Sequence, residues 1–141
     1  MRPGHLLDTN VLIDLSEGRP PAALLATPHH PPVLSAVVVG EFLAGLRHRE
    51  RGRTRRARAW LKGFLPDVRV VAVTVDTASK YADLYLHRQR IGHPIPRNDL
   101  WIAATAAERG LTLLTRDRHF ADLPEVDVEV VQPADPEPDA K

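Results

Sequence analysis

A chain of 141 residues, 43% hydrophobic and 26% charged, has the makeup of one globular domain and too little length for two of ordinary size. It has no cysteine, which excludes disulfides, thiolate zinc sites, iron–sulfur clusters and a cysteine nucleophile. The formal net charge of +1 hides an asymmetry: seven arginines between Arg47 and Arg58 face one acid, Glu50, a local +6 that leaves −5 on the rest. Such a basic stretch is the footprint of a polyanion partner or, equally, a solvated helix-and-loop segment. No apolar run reaches the roughly 18–20 residues of a membrane span. Met1-Arg2-Pro3-Gly4 leads into a strand rather than a signal peptide, so a soluble cytoplasmic protein is expected.

Leu6-Leu7, ending at Asp8, reads as a short buried strand, and Val11, Leu12 and Leu15 suit a helix beginning just after Asp8. Gly18, Pro20 and Pro21 stop it, and 21–26 form a second short helix. After a proline loop over 28–32 comes a brief strand at Val33-Leu34. Ser35 then caps a helix running through Leu46 and the arginine cluster. A further helix covers 57–65, a β-branched strand 68–75, and a helix capped by Asp76 or Thr77 runs to about Gln89. Asn98 is the expected N-cap of a helix over 99–109, closed by Gly110. A strand over 111–115, a turn or short helix over 117–123 and a strand over 126–131 complete a domain of residues 1–131. Residues 132–141, proline-rich and acidic, are expected to fray. Alternating strands and helices imply an α/β sandwich with a mainly parallel sheet, whose ligands bind beyond the carboxyl ends of the strands.

Most acids need no special explanation; Asp14, Glu17, Asp67, Asp83, Glu108 and Asp122 suit wet faces. Four others stand apart. Asp8 ends an apolar strand, where it also serves as a helix N-cap. Glu41 is the only charge between Val33 and Leu46, so it needs a partner, an arginine being the simplest. Asp99 sits in a first helical turn, a position the helix dipole favours by itself. Asp117 follows a strand in Thr115-Arg116-Asp117, an ordinary turn position. Three of the four fall at the strand-end edge of an α/β sheet, and Glu41 can reach it from its helix. Two carboxylates about 5 Å apart repel by roughly 3 kcal/mol at an effective dielectric near 20, so a cluster must take up protons or cations. Oxygen donors without Cys or His point to Mg²⁺ or Mn²⁺ rather than zinc. His29-His30 lies in a proline loop and reads as structural or solvent-facing.

The segments holding these acids resemble the PIN-domain family. Leu6-Leu7-Asp8-Thr9-Asn10-Val11-Leu12-Ile13 is similar to its opening, and Ser35 through Phe42 to its second motif. Asn98 through Ala104 resembles the third, and Leu113-Leu114-Thr115-Arg116-Asp117 the fourth. The short length and the Arg-Asn-Asp and Thr-Arg-Asp forms resemble VapC-type toxins of bacterial toxin–antitoxin pairs. This resemblance implies a PIN-like α/β/α sandwich and a metal-dependent endoribonuclease, with Asp8, Glu41, Asp99 and Asp117 holding Mg²⁺ (or Mn²⁺). It implies that Thr115 orients the last acids and that Asn10 holds a ligand or metal-bound water, although a strand end and a helix start explain both as well. Asp99 or Glu41 takes the proton of the attacking water. Arg97 and Arg116, with the arginine cluster, are candidates for flanking phosphates. A homodimer and a small cognate antitoxin follow from the same resemblance.

Three other readings compete. A phosphoaspartate enzyme of the haloacid-dehalogenase kind wants a second aspartate where Asn10 stands. A receiver-type signalling domain wants paired acids after the first strand and a mid-chain phosphorylatable aspartate. A non-catalytic PIN-like module that binds RNA or a partner would not need four intact acids.

Overall fold

Among the described residues of a computed structural model, 4–26, 29–46 and 51–132, five short strands pair only in parallel, flanked by helices. They are β1 (His5–Leu7), β2 (Pro32–Ser35), β3 (Arg69–Val71), β4 (Thr112–Thr115) and β5 (Asp127–Val130), ordered β3-β2-β1-β4-β5. Central β1 has a neighbour on each side, with Leu6 opposite both Val33 and Leu113. Leu6, Leu7, Leu34, Leu113 and Leu114 are therefore sealed on both faces, the usual state of an all-parallel sheet. Burying each contributes about 1.5–3 kcal/mol.

The chain leaves β1 towards β2 and β3 on one side and returns to place β4 and β5 on the other. The strand order thus reverses between β1 and β4, and a crevice opens there at the carboxyl ends of the strands. Asp8 and Asp117 follow the two strands that border it.

Among the described residues six α-helices connect the strands: α1 (Thr9–Ser16), α2 (Ala22–Ala26), α3 (Ala36–Leu46), α4 (Arg51–Phe64), α5 (Val75–Ile91) and α6 (Arg97–Arg109). Ser35 accepts from the Val38 N–H at 3.1 Å and so caps α3 as expected. α6 buries Leu100, Ile102, Ala103, Ala104 and Ala106, and stops at Gly110, whose φ of 63° suits the left-handed cap. Stacking of Tyr81 on Trp101, with centroids 4.1 Å apart, joins α5 to α6. No helix of the described residues is long and apolar enough to cross a membrane.

Several local expectations are corrected. The arginines from Arg51 onward belong to α4, not to the end of α3, because Ala57 and Leu61 give that segment its own buried face. Residues 47–50 lie outside the described residues, as does the expected tail from 133 onward. The strand over 68–75 shrinks to β3: the Thr74 hydroxyl caps α5 in a reciprocal pair with Thr77, so Val75 begins a helix, and that helix runs to Ile91. Neither Asp76 nor Thr77 is its N-cap. Pro96, with φ −53°, takes the N-cap place of α6 expected for Asn98, freeing the Asn98 amide. Asp14 and Glu108 do not lie on wet faces. Asp14 is 6% exposed, and Glu108 accepts from the hydroxyls of Thr74 and Thr77.

Candidate active site

Each of the four singled-out acids arrives at the crevice from a different element. Asp8 ends β1 and caps α1, its Oδ1 accepting from the Thr9 N–H at 2.8 Å. Glu41 comes from the second turn of α3, which starts at the carboxyl end of β2. Asp99 lies in the first turn of α6, which precedes β4 and runs counter to it, so its start lies at the same edge. Asp117 follows β4 and caps a short 3-10 turn, accepting from the His119 N–H at 2.9 Å.

The carboxylates sense one another. Asp99 is pushed up to about 6, first by burial and then by the charges of Asp8, Glu41 and Asp117, with His119 pulling the other way. Burial likewise raises Asp8. The Thr115 hydroxyl and Thr9 amide oppose that rise, and Glu41 and Asp117 add to it. Among the described residues none of the four pairs with a lysine or arginine; the one basic side chain in contact is His119, whose Nδ1 lies 2.8 Å from Asp117 Oδ1, with His119 exposed. Among the described residues Glu41 has no arginine partner. Its oxygens instead accept from Thr9 Oγ1 at 2.7 Å and Asn98 Nδ2 at 3.4 Å.

Polar neighbours fix the geometry. The Thr115 hydroxyl donates to Asp8 Oδ2 at 2.6 Å and accepts the Asp117 N–H at 3.0 Å, so one side chain sets the acids of both strands. Asn10 donates to Asp8 Oδ2 at 3.3 Å and accepts the Arg116 N–H at 3.1 Å, so both ends of its amide are engaged within the protein. Arg116 is ion-paired, its Nε 3.0 Å from Asp14 Oδ2, with its side chain 40% exposed. Burial raises Asp14, while Arg116 and then Arg19 lower it. Arg97 is exposed at the start of α6 and in no ion pair among the described residues.

Sequence reasoning missed Thr9, Asp14, Asn98 and His119. Asp14 had a signal, since it follows Asn10 by one helical turn and both face the Arg116 loop.

The fit to a divalent cation rests on donor chemistry. Four carboxylates gather at one edge, two are held above their ordinary range, and among the described residues none has a lysine or arginine neutralising it. That is a hard, oxygen-only donor set with an unmet need for positive charge. Among the described residues no three acidic or histidine side chains are pre-assembled as a finished metal shell.

Comparison with known proteins agrees with this architecture. The profile of the PIN domain family matches residues 5–126. VapC ribonuclease Y4jK of Sinorhizobium fredii is 35% identical over 120 residues, 79% of this chain and 86% of that protein. A solved member of the VapBC family of toxin–antitoxin systems, VapBC-5 from Mycobacterium tuberculosis, is 30% identical. It aligns over 89% of this chain and 98% of its own, with a TM-score of 0.65. VapBC2 from Rickettsia felis, bound to a promoter DNA fragment, shares the fold with a TM-score of 0.81, covering 91% of this chain and 98% of its own at 21% identity.

Proposed function

The chain belongs to the PIN domain family, and on that premise we propose that it is a divalent-metal-dependent endoribonuclease, the toxin of a toxin–antitoxin pair. The observation that carries the reading is Asp99, its carboxyl raised to about 6 by burial and by the charges of three acids from three other elements. Asp8, Glu41, Asp99 and Asp117 would hold Mg²⁺ or Mn²⁺. Such an ion, when bound, supplies charge neutralisation at the scissile phosphate and acidifies water.

The chain's own groups do the rest. Thr115 and Asn10 hold Asp8 in one orientation, so its oxygens do not have to reorganise as charge develops. Glu41 is tied by Thr9 and Asn98, whereas Asp99 has no side-chain hydrogen bond among the described residues. Asp99 is therefore the carboxylate that takes the proton of the attacking water. Arg97, two residues before Asp99 and unpaired, contacts a phosphate beside the cut. Arg116 also holds the 115–117 turn against α1 through Asp14 and Asn10.

The working form is a cytoplasmic homodimer silenced by a small cognate antitoxin, in keeping with the VapBC toxin–antitoxin relative. Incubating the purified chain with total RNA tests the reading. Cleavage is expected with Mg²⁺, none with chelator, and none with Asp8→Asn. Equal cutting by Asp8→Asn refutes the assignment.

A further inference from the structure

Five members of the arginine-rich segment lie on α4, and none of these five is paired with the four acids. Arg51, Arg53, Arg55, Arg56 and Arg58 are all exposed, and none is in an ion pair among the described residues. Arg51, Arg55, Arg58 and Lys62 recur at i, i+4, i+7 and i+11 and so form one stripe, while Ala57 and Leu61 turn to the core. At 1.5 Å per residue the stripe is about 16 Å long.

This charge works against the helix that bears it. Arg51–Phe64 contains no acid, so the pairs Arg51–Arg55 and Arg55–Arg58 repel without compensation. Cations in the first turn also oppose the helix dipole, which favours acids there. A solvated face built for solubility would intersperse both signs.

The proposed activity also needs cations somewhere. Four carboxylates repel the phosphates of any RNA that approaches them, so binding free energy must come from outside the cluster. Trp60 of α4 packs on Phe42 of α3, the helix that carries Glu41, with ring centroids 6.1 Å apart. Arg53 and Arg56, with Ser16 and Glu17, line a cleft of about 230 Å³ between α1 and α4.

We propose that the basic stripe Arg51, Arg55, Arg58 and Lys62 of α4 is a rail for the backbone of single-stranded RNA on its way to the acid cluster. This inference rests on the ribonuclease reading above. The test is fluorescence anisotropy with a labelled, mixed-sequence single-stranded RNA in chelator, where no cutting occurs, over a series of salt concentrations. Each lost contact to a single strand lowers the slope of log affinity against log salt by about 0.7. The triple variant Arg51→Gln, Arg55→Gln, Arg58→Gln should therefore show a slope shallower by about 2, and Arg58→Gln alone by about 0.7. The triple lysine variant should keep the original slope, because the contacts are to charge. An unchanged slope in both glutamine variants, with RNA cleavage by the unaltered chain intact, overturns the rail and leaves the ribonuclease reading standing. The rail is also overturned if the glutamine variants lose only binding to a polyglutamate probe, which would assign the stripe to an acidic protein. Failure of the unaltered chain either to bind or to cut RNA overturns both.

Discussion

Replacing Asp99 by asparagine should stabilise the metal-free protein. The Asp99 carboxyl rises from 3.8 to about 6, a difference of about 3 kcal/mol at 1.36 kcal/mol per unit. Asp99 is only half-buried, and solvent screening reduces that to about 1.5 kcal/mol. The same carboxylate sits in the first turn of α6, where loss of its interaction with the helix dipole costs about 0.5 kcal/mol. The net gain is about 1 kcal/mol, or about 3 °C in Tm for a domain of this size. The sign with pH follows from a folded-state pKa above the unfolded one. The ionised carboxylate penalises the fold fully above about pH 6, and the penalty fades as pH falls from there to 3.8, where the folded and unfolded forms are both becoming protonated. Melting curves of both proteins in chelator should thus separate at pH 7.5 and converge near pH 4. With Mg²⁺ the order should invert, because the unaltered site gains the ligand and the variant loses part of it. An asparagine variant less stable than the parent at pH 7.5 in chelator, or equally shifted at both pH values, would show that burial and the neighbouring acids do not penalise the Asp99 carboxylate as described.

Three further outcomes follow from the polar network. Arg116→Ala leaves the buried Asp14 carboxylate without its nearest guanidinium and should cost about 1–3 kcal/mol in urea unfolding, whereas Asp14→Asn in the same background should recover part of it; no loss would mean the pair is not formed in solution. Thr115→Val keeps the shape but removes the hydroxyl shared by Asp8 and Asp117. RNA cleavage per folded molecule should fall about 10–100-fold, with about 1–3 kcal/mol of stability also lost as Asp8 and the Asp117 N–H lose their shared partner, and full activity would remove Thr115 from its orienting role. Glu108→Ala strips the acceptor from buried Thr77 and exposed Thr74, and should lower stability by about 1–3 kcal/mol by thermal melting while leaving cleavage per folded molecule unchanged.

Much of the site was legible because its acids break local rules. Asp8 interrupts an apolar run that buries both neighbouring leucines, and Glu41 is the lone charge on an apolar helix, so each demanded a reason in the sequence itself. The parallel sheet was legible from alternating strands and helices, although a linear chain does not disclose that β1 and β4 are neighbours 107 residues apart at Asp8 and Thr115. Asp14 was misread because an acid on a short helix is usually solvated. It lies about 60° from Val11 at 100° per residue, close enough to the core face to need a partner that only the returning Arg116 loop supplies. Val73 and Val75 looked like strand because β-branched residues favour one, yet the capping pair of Thr74 and Thr77 offered the backbone a competing arrangement. Asn98 looked like a cap for the same local reason, and its amide was instead taken by Glu41, 57 residues away.

The central claim is that four acids, distant along the chain, act together on one divalent cation. Calorimetric titration of the metal-free protein with Mn²⁺ addresses it without any assumption about substrate. Saturable binding is predicted, with proton release greater at pH 5.5 than at pH 7.5 as Asp99 deprotonates. Asp8→Asn and Asp99→Asn should each weaken that binding at least tenfold, as loss of a charged ligand demands. Binding unaffected by either substitution, or no binding at all, would contradict the account.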